Sequence, residues 1–257
     1  MNKSVKTLLI VLCAIFAVIF LFSGYKLYST LHGYKVAEKS YTELSDKYVS
    51  AQAPAPDSKD DGPVVYTEFS PIHVDFDSML AENSDVRGWI YSPDTVINYP
   101  IAQTEDNDYY LHRLLNGDYN ANGTLFIDWL CEGDFSSDNT LIYGHHMNDG
   151  SMFAGLPYYR DQAYADAHPT MYINTPEQNY RMDIFAGYTV PAKSDIYAIN
   201  FSSDAEFAAY IIKVLALSDF KTDVKVTPAD HIVTLSTCTY EYADARYIIQ
   251  GKLTPIG

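Results

Sequence analysis

The segment Ile232–Cys238 (IVTLSTC), the connection TYEYADA over 239–245 and the run RYIIQGKL over 246–253 decide how this chain folds. Side chains alternate between the two faces of a strand. Ile232, Thr234, Ser236 and Cys238 therefore share one face, and Val233, Leu235 and Thr237 the other. The connection of seven residues is too short for a parallel crossover, which needs roughly a dozen or more. The two strands are thus expected to pair antiparallel, which brings Arg246, at the start of the second, close to Cys238, at the end of the first.

Upstream, the pattern continues mostly as short strands. Candidates are 87–91, 96–101, 124–129, 140–143, 170–174 and 181–190, with the closing pair at 231–237 and 246–253. A short helix is expected over 75–84, and helical turns over 107–114 and 151–158. The clearest helix covers 204–218, where Phe207, Tyr210, Ile211, Val214 and Leu215 recur at helical spacing behind a cap at Ser203 or Asp204. Many short strands with a few helices in their connections predict a mainly β fold, a closed or nearly closed barrel.

The N-terminal quarter is different. Lys3 and Lys6 precede an apolar run from Leu8 to Phe22, which Ser23, Gly24 and Tyr25 extend to a length that can span a bilayer. A cleaved signal peptide is the alternative, but no A-x-A site follows the run. The lysines favour a cytoplasmic N-terminus. Leu27, Tyr34, Tyr41 and Tyr48 then recur every seven residues, suggesting a helical stalk or a helix packed on the main domain. The stretch AQAPAPDSKDDG (51–62) has the composition of a linker. The expected division is a cytoplasmic N-terminus (1–7), a membrane anchor (8–25), a helical stalk (26–50), a linker (51–64) and one extracytoplasmic domain (65–257).

The net charge of −16 excludes nucleic acid as a partner, since its binding needs a basic footprint. The 23 tyrosines suit a strand-rich fold. Of the cysteines, Cys13 lies in the apolar run; Cys131 and Cys238 are left for the folded domain, as a disulfide or as free thiols. No C-x-x-C pattern points to zinc, and the histidines lack companions at ligand spacing, so neither metal nor cofactor is implied.

The residues with chemical potential are three. Cys238 is a nucleophile held at a strand end. Arg246 stays charged; it can lower a thiol pKa or stabilise an oxyanion, or else form a surface ion pair with Glu241 or Asp244. In TLIYGHHMNDG (140–150), a strand ends at Gly144 and His145 and His146 open a loop, where imidazole suits acid–base work. The other histidines, His112 among them, have no comparable setting.

These residues carry a resemblance. TLSTC (234–238) followed by Arg246 is similar to the T-L-x-T-C…R signature of the sortases, and YGHHM (143–147) with Asp149-Gly150 and Met152-Phe153 resembles the class B histidine motif. The resemblance runs from about residue 70 to the end, and the 204–218 helix between histidine and cysteine also points to class B. It implies a closed eight-stranded β-barrel with short connecting helices and an N-terminal helical extension. It also implies a membrane-tethered cysteine transpeptidase with Cys238 as nucleophile, His145 as acid–base and Arg246 as oxyanion or substrate-positioning residue. Ser236, Asn107, Leu111 and Tyr197 resemble substrate-groove positions. The implied partners are secreted proteins bearing a C-terminal sorting motif and an amine of a peptidoglycan precursor. A cysteine peptidase that hydrolyses the same thioester, and a non-enzymatic binding module, are the rivals.

Overall fold

In a computed structural model of the chain, the described residues are 3–52, 68–239 and 241–257. A single unbroken helix, α1 (Lys3–Tyr48), opens the described residues. It is long and apolar enough near its N-terminus to cross a membrane, and that stretch is fully exposed. The seven-residue stripe has a use only in its second half: Tyr41 and Tyr48 are buried and Tyr34 is partly so, whereas Leu27 and Leu31 are exposed. The helix thus docks on the domain through Ala37, Tyr41 and Tyr48.

Ala51, expected to begin the linker, instead ends a short strand, β1 (Val49–Ala51), paired antiparallel with β2 (Ile72–Val74). The rest of the linker, from residue 53 on, lies outside the described residues. Helix α2 (Phe76–Glu82) follows, capped by Asp75, whose carboxylate accepts from the Ser78 amide at 3.1 Å.

The remaining strands are β3 (Val86–Tyr91), β4 (Asn98–Ala102), β5 (Leu125–Ile127), β6 (Asn139–Tyr143), β7 (Thr170–Asn174), β8 (Asn179–Pro191), β9 (Ile232–Cys238) and β10 (Ala245–Ile256). They close into an eight-stranded barrel in the order β10-β8-β7-β3-β4-β5-β6-β9. Pairing is antiparallel except at β4–β5 and β6–β9. The antiparallel β9–β10 pair expected from the short connection is present, with Arg246 directly opposite Cys238.

Two further helices sit in the connections. Helix α3 (Gln162–Ala167), capped by Asp161, was not expected from the sequence; its six residues are too few to set up a periodic apolar stripe. Helix α4 (Asp204–Leu217) is capped by Ser203, which accepts from the Glu206 amide. Phe207, Tyr210, Ile211 and Val214 are its buried face.

Strand β9 is buried on both sides from Ile232 to Thr237, its polar Thr234, Ser236 and Thr237 included. Val233 and Leu235 join the main core with Tyr247 and Ile249 of β10. Ile232 and Ile248 face the other way and pack with α4 in a separate cluster. A buried polar chain ties the layers together. Gln250 Nε2 donates to Tyr210 at 2.6 Å and to Thr234 at 2.8 Å, and the Thr234 hydroxyl donates to Asn139 at 2.7 Å. Cys238 continues the α4-facing side of β9, beyond the cover that α4 provides.

Candidate active site

The central position of β9 builds the site. On one edge, β10 sets Arg246 opposite Cys238. On the other, parallel β6 pairs Tyr143 with Ser236, and the Gly144 amide extends that ladder to the Ser236 carbonyl at 3.1 Å. His145 follows Gly144 directly and lines the same cleft as Cys238 and Arg246. Cross-strand partners point to the same face, so the Cys238 thiol and the Arg246 guanidinium project on one side of β9 and β10. Gly144 is required here by space: a Cβ would lie 2.4 Å from Leu125 Cδ2 and 2.6 Å from Phe153 Cδ2.

His145 is half-buried, and its Nε2 lies 2.7 Å from the Leu111 carbonyl. Burial pushes its pKa below the ordinary histidine value, the Leu111 carbonyl works against that, and the charge of His112 adds to the lowering. His112 corrects the sequence reading: its ring stacks on His145 with centroids 5.6 Å apart and planes at 18°. The contact joins residues of two separate loops, which no local pattern announces. His146 points elsewhere, its Nδ1 3.0 Å from the Cys238 carbonyl, so it braces the end of β9.

A cleft of about 510 Å³ opens over these groups. It is lined by Cys238, His145, Arg246, Ser236, Asn107, Leu111 and Tyr197, which brings together every site residue singled out in the sequence. The Tyr197 and Ser236 hydroxyls lie 3.0 Å apart. The Asn107 Nδ2 donates to the Asp128 carboxylate at 3.0 Å and its Oδ1 accepts from the Trp129 amide at 3.0 Å. Tyr143, Phe126 and Lys193 are also part of the lining, and sequence reading assigns a cleft role to none of them. Tyr143 also donates to Asp128, at 2.9 Å.

Glu241, one of the two carboxylates in the ion-pair alternative for Arg246, pairs with Arg160 instead. The guanidinium of Arg246 donates to its own neighbouring carbonyl, Ala245, at 3.0 Å and lines the cleft. Cys131 and Cys238 are both free thiols. Cys131 is buried against the β6 backbone, and burial pushes its thiol up to about 11. Among the described residues, no three His, Cys, Asp or Glu side chains are grouped to hold a metal ion. The cleft therefore offers a reachable sulfur nucleophile, a proton carrier and a fixed cation around one reacting centre.

Comparison with known proteins agrees with this geometry. The family model described as "Sortase domain" matches residues 90–254. Sortase B of Listeria monocytogenes is 36% identical over 246 residues, covering 91% of this chain and 92% of that protein. The crystal structure of sortase B from Bacillus anthracis superposes with a TM-score of 0.73 at 32% identity, covering 88% of this chain and 99% of that one. A Staphylococcus aureus sortase B–substrate complex gives a TM-score of 0.68 at 29% identity, covering 71% and 85%. With its mixed eight-stranded barrel and its cysteine, histidine and arginine motifs, the chain belongs to the sortase family, in class B, and is a cysteine transpeptidase.

Proposed function

We propose that the chain is a membrane-anchored enzyme that cleaves a C-terminal sorting motif of secreted proteins after threonine and joins them to an amine of a peptidoglycan precursor. The observation that carries this reading is the one cleft lined by His145, Cys238 and Arg246, with Arg246 opposite Cys238 in the β9–β10 ladder.

In the first half-reaction the Cys238 thiolate attacks the threonine carbonyl. The oxyanion is stabilised by Arg246, and the tetrahedral intermediate collapses as protonated His145 gives its proton to the leaving amine. A thioacyl bond to Cys238 remains. In the second, the acceptor amine attacks that thioester while His145, now neutral, takes the amine proton and the thiolate leaves. The lowered pKa of His145 makes its imidazolium a stronger acid toward the leaving amine, at the cost of a smaller protonated population. Ser236, Asn107, Leu111 and Tyr197 bind the motif in the cleft.

The apolar N-terminal stretch of α1 supports residues 8–25 as the anchor, with 1–7 in the cytoplasm and the catalytic domain outside; the rest of α1 and β1 belong with that domain, on which they pack. The test is mass spectrometry of the enzyme mixed with a library of N-P-x-T and P-P-x-T-G peptides, with and without a free amine. An acyl adduct on Cys238 and an amine-dependent product are expected. Hydrolysis that an added amine leaves unchanged would remove the transfer step, and an unaltered Cys238→Ala enzyme would remove the nucleophile.

A further inference from the structure

We propose that Tyr41 of α1 is a positioning residue for His145, so that the helix leading out of the apolar anchor is part of the apparatus that orients the acid–base group. The proposal rests on the reading of His145 as that group.

Two independent supports hold His145, and Tyr41 stands behind both. The first is the Leu111 carbonyl, 2.7 Å from His145 Nε2. That carbonyl lies against Gly123, whose φ of +60° and lack of a Cβ let the two backbones touch: a Cβ there would be 2.6 Å from the Leu111 and Tyr110 oxygens. The Tyr41 hydroxyl donates to the Gly123 carbonyl and lies 3.4 Å from the Thr124 hydroxyl. Thr124 in turn donates its amide to Tyr110 at 2.9 Å and its hydroxyl to Arg113 at 2.9 Å, so this link reaches both ends of the 110–113 segment.

The second support is the turn that closes the histidine loop. The Phe153 amide donates to the His145 carbonyl at 3.0 Å, and Met152 bridges to His146. Met152 is buried with φ of 57°, a left-handed conformation that a non-glycine residue keeps only when its surroundings enforce it. Its amide donates to the Tyr99 hydroxyl at 3.1 Å. The Tyr99 ring meets the Tyr41 ring edge-on, with centroids 5.2 Å apart and planes at 82°.

Tyr41 is buried, and burial pushes its phenol pKa up, so it is neutral at physiological pH. The titratable and charged groups around His145 are His112, His146, Cys238, Arg246, Lys193, Tyr143 and Tyr197. Tyr41 is not among them, so replacing it alters no charge facing His145. Any change it makes in how His145 titrates must pass through geometry.

The test uses the full-length chain in detergent micelles, with Tyr41→Ala, Tyr41→Phe, Tyr99→Phe and His145→Ala. The His145 midpoint is read by mass-spectrometric exchange of histidine C2 hydrogens. Turnover is read with a fluorogenic N-P-x-T peptide bearing alanine at the free position, normalised to folded enzyme by Cys238 alkylation. For Tyr41→Ala the His145 midpoint is expected to move up by about 0.5 pH as the site admits water. The kcat is expected to fall about tenfold with KM within about twofold, the mark of a misplaced catalytic group. Tyr41→Phe and Tyr99→Phe, which each lose only a hydroxyl, should give smaller changes of the same sign, and they decide the matter if the alanine variant does not fold. A wild-type midpoint and kcat in these variants, with only a lower melting temperature, would overturn the proposal. Full activity of His145→Ala would instead overturn the acid–base reading on which it rests.

Discussion

Asp128 receives the Tyr143 hydroxyl at 2.9 Å, and the same carboxylate oxygen takes the Asn107 amide at 3.0 Å. One buried carboxylate thus fixes two walls of the cleft, while its other oxygen accepts from the Leu130 amide at 2.9 Å. Burial and the charge of Asp128 both push the Tyr143 phenol pKa upward, so it remains a donor throughout the working pH range. Asp128→Ala leaves three donors without their acceptor, and a loss of roughly 2–4 kcal/mol is expected. Urea denaturation measures that cost. Steady-state kinetics should show a raised KM, because the walls move while Cys238 stays in place.

Arg246 and Cys238 are cross-strand partners, and replacing each should separate fold from chemistry. Cys238→Ala should abolish adduct formation with little effect on the melting temperature. Arg246→Ala should lower kcat/KM by about 10²–10³, the range for a lost oxyanion donor. Arg246→Lys keeps the charge but loses the planar fork and should recover only part of the activity. A lysine enzyme equal to wild type would show that charge alone suffices.

The lowered His145 pKa has a definite sign in stability. The unfolded chain binds the proton more readily, so stability rises with pH across the window between the folded and unfolded values. This contribution is present above the unfolded pKa of about 6.5 and is lost as pH falls through the folded one. Melting temperatures of wild type and His145→Ala should therefore converge on acidification. His112→Phe keeps a stacking ring and removes the like charge, so the His145 midpoint should rise, as histidine C2 exchange would record.

Gly144 tests the register directly. With Leu125 and Phe153 already in the space a Cβ would take, Gly144→Ala should cost about 1–3 kcal/mol by overpacking. Because His145 is the next residue, activity measured per folded molecule should fall as well. A stable variant with normal turnover would mean that the neighbouring side chains yield without moving the histidine.

Much of the barrel is legible in the sequence because strands declare themselves locally. The alternation at 232–238, the short connection after it and the spacing of the α4 face are all short-range patterns with counterparts in the structure, save that Leu215, expected on that face, is exposed. The parallel β6–β9 pairing is different, since Asn139 meets Ile232 across a large part of the chain and nothing local marks the partner. His112 and Asp128 escaped notice for the same reason: each matters through a contact with another loop. The 51–62 stretch read as linker because of its prolines and acids, yet Ala51 pairs with Ile72 in a ladder too short to show a period. The left-handed Met152 is invisible to pattern, as methionine is not a residue that signals such a turn.

The β6–β9 pairing also sets a timetable. Closing a loop of roughly ninety residues costs on the order of 2 kcal/mol more than closing the short β9–β10 hairpin. Contacts so distant along the chain form late, after local hairpins have appeared. Until β6 docks, Cys238 has its arginine partner but lacks the cleft wall that carries His145. On that ordering, the cleft over Cys238 is completed only when β6 docks on β9 and the barrel shuts.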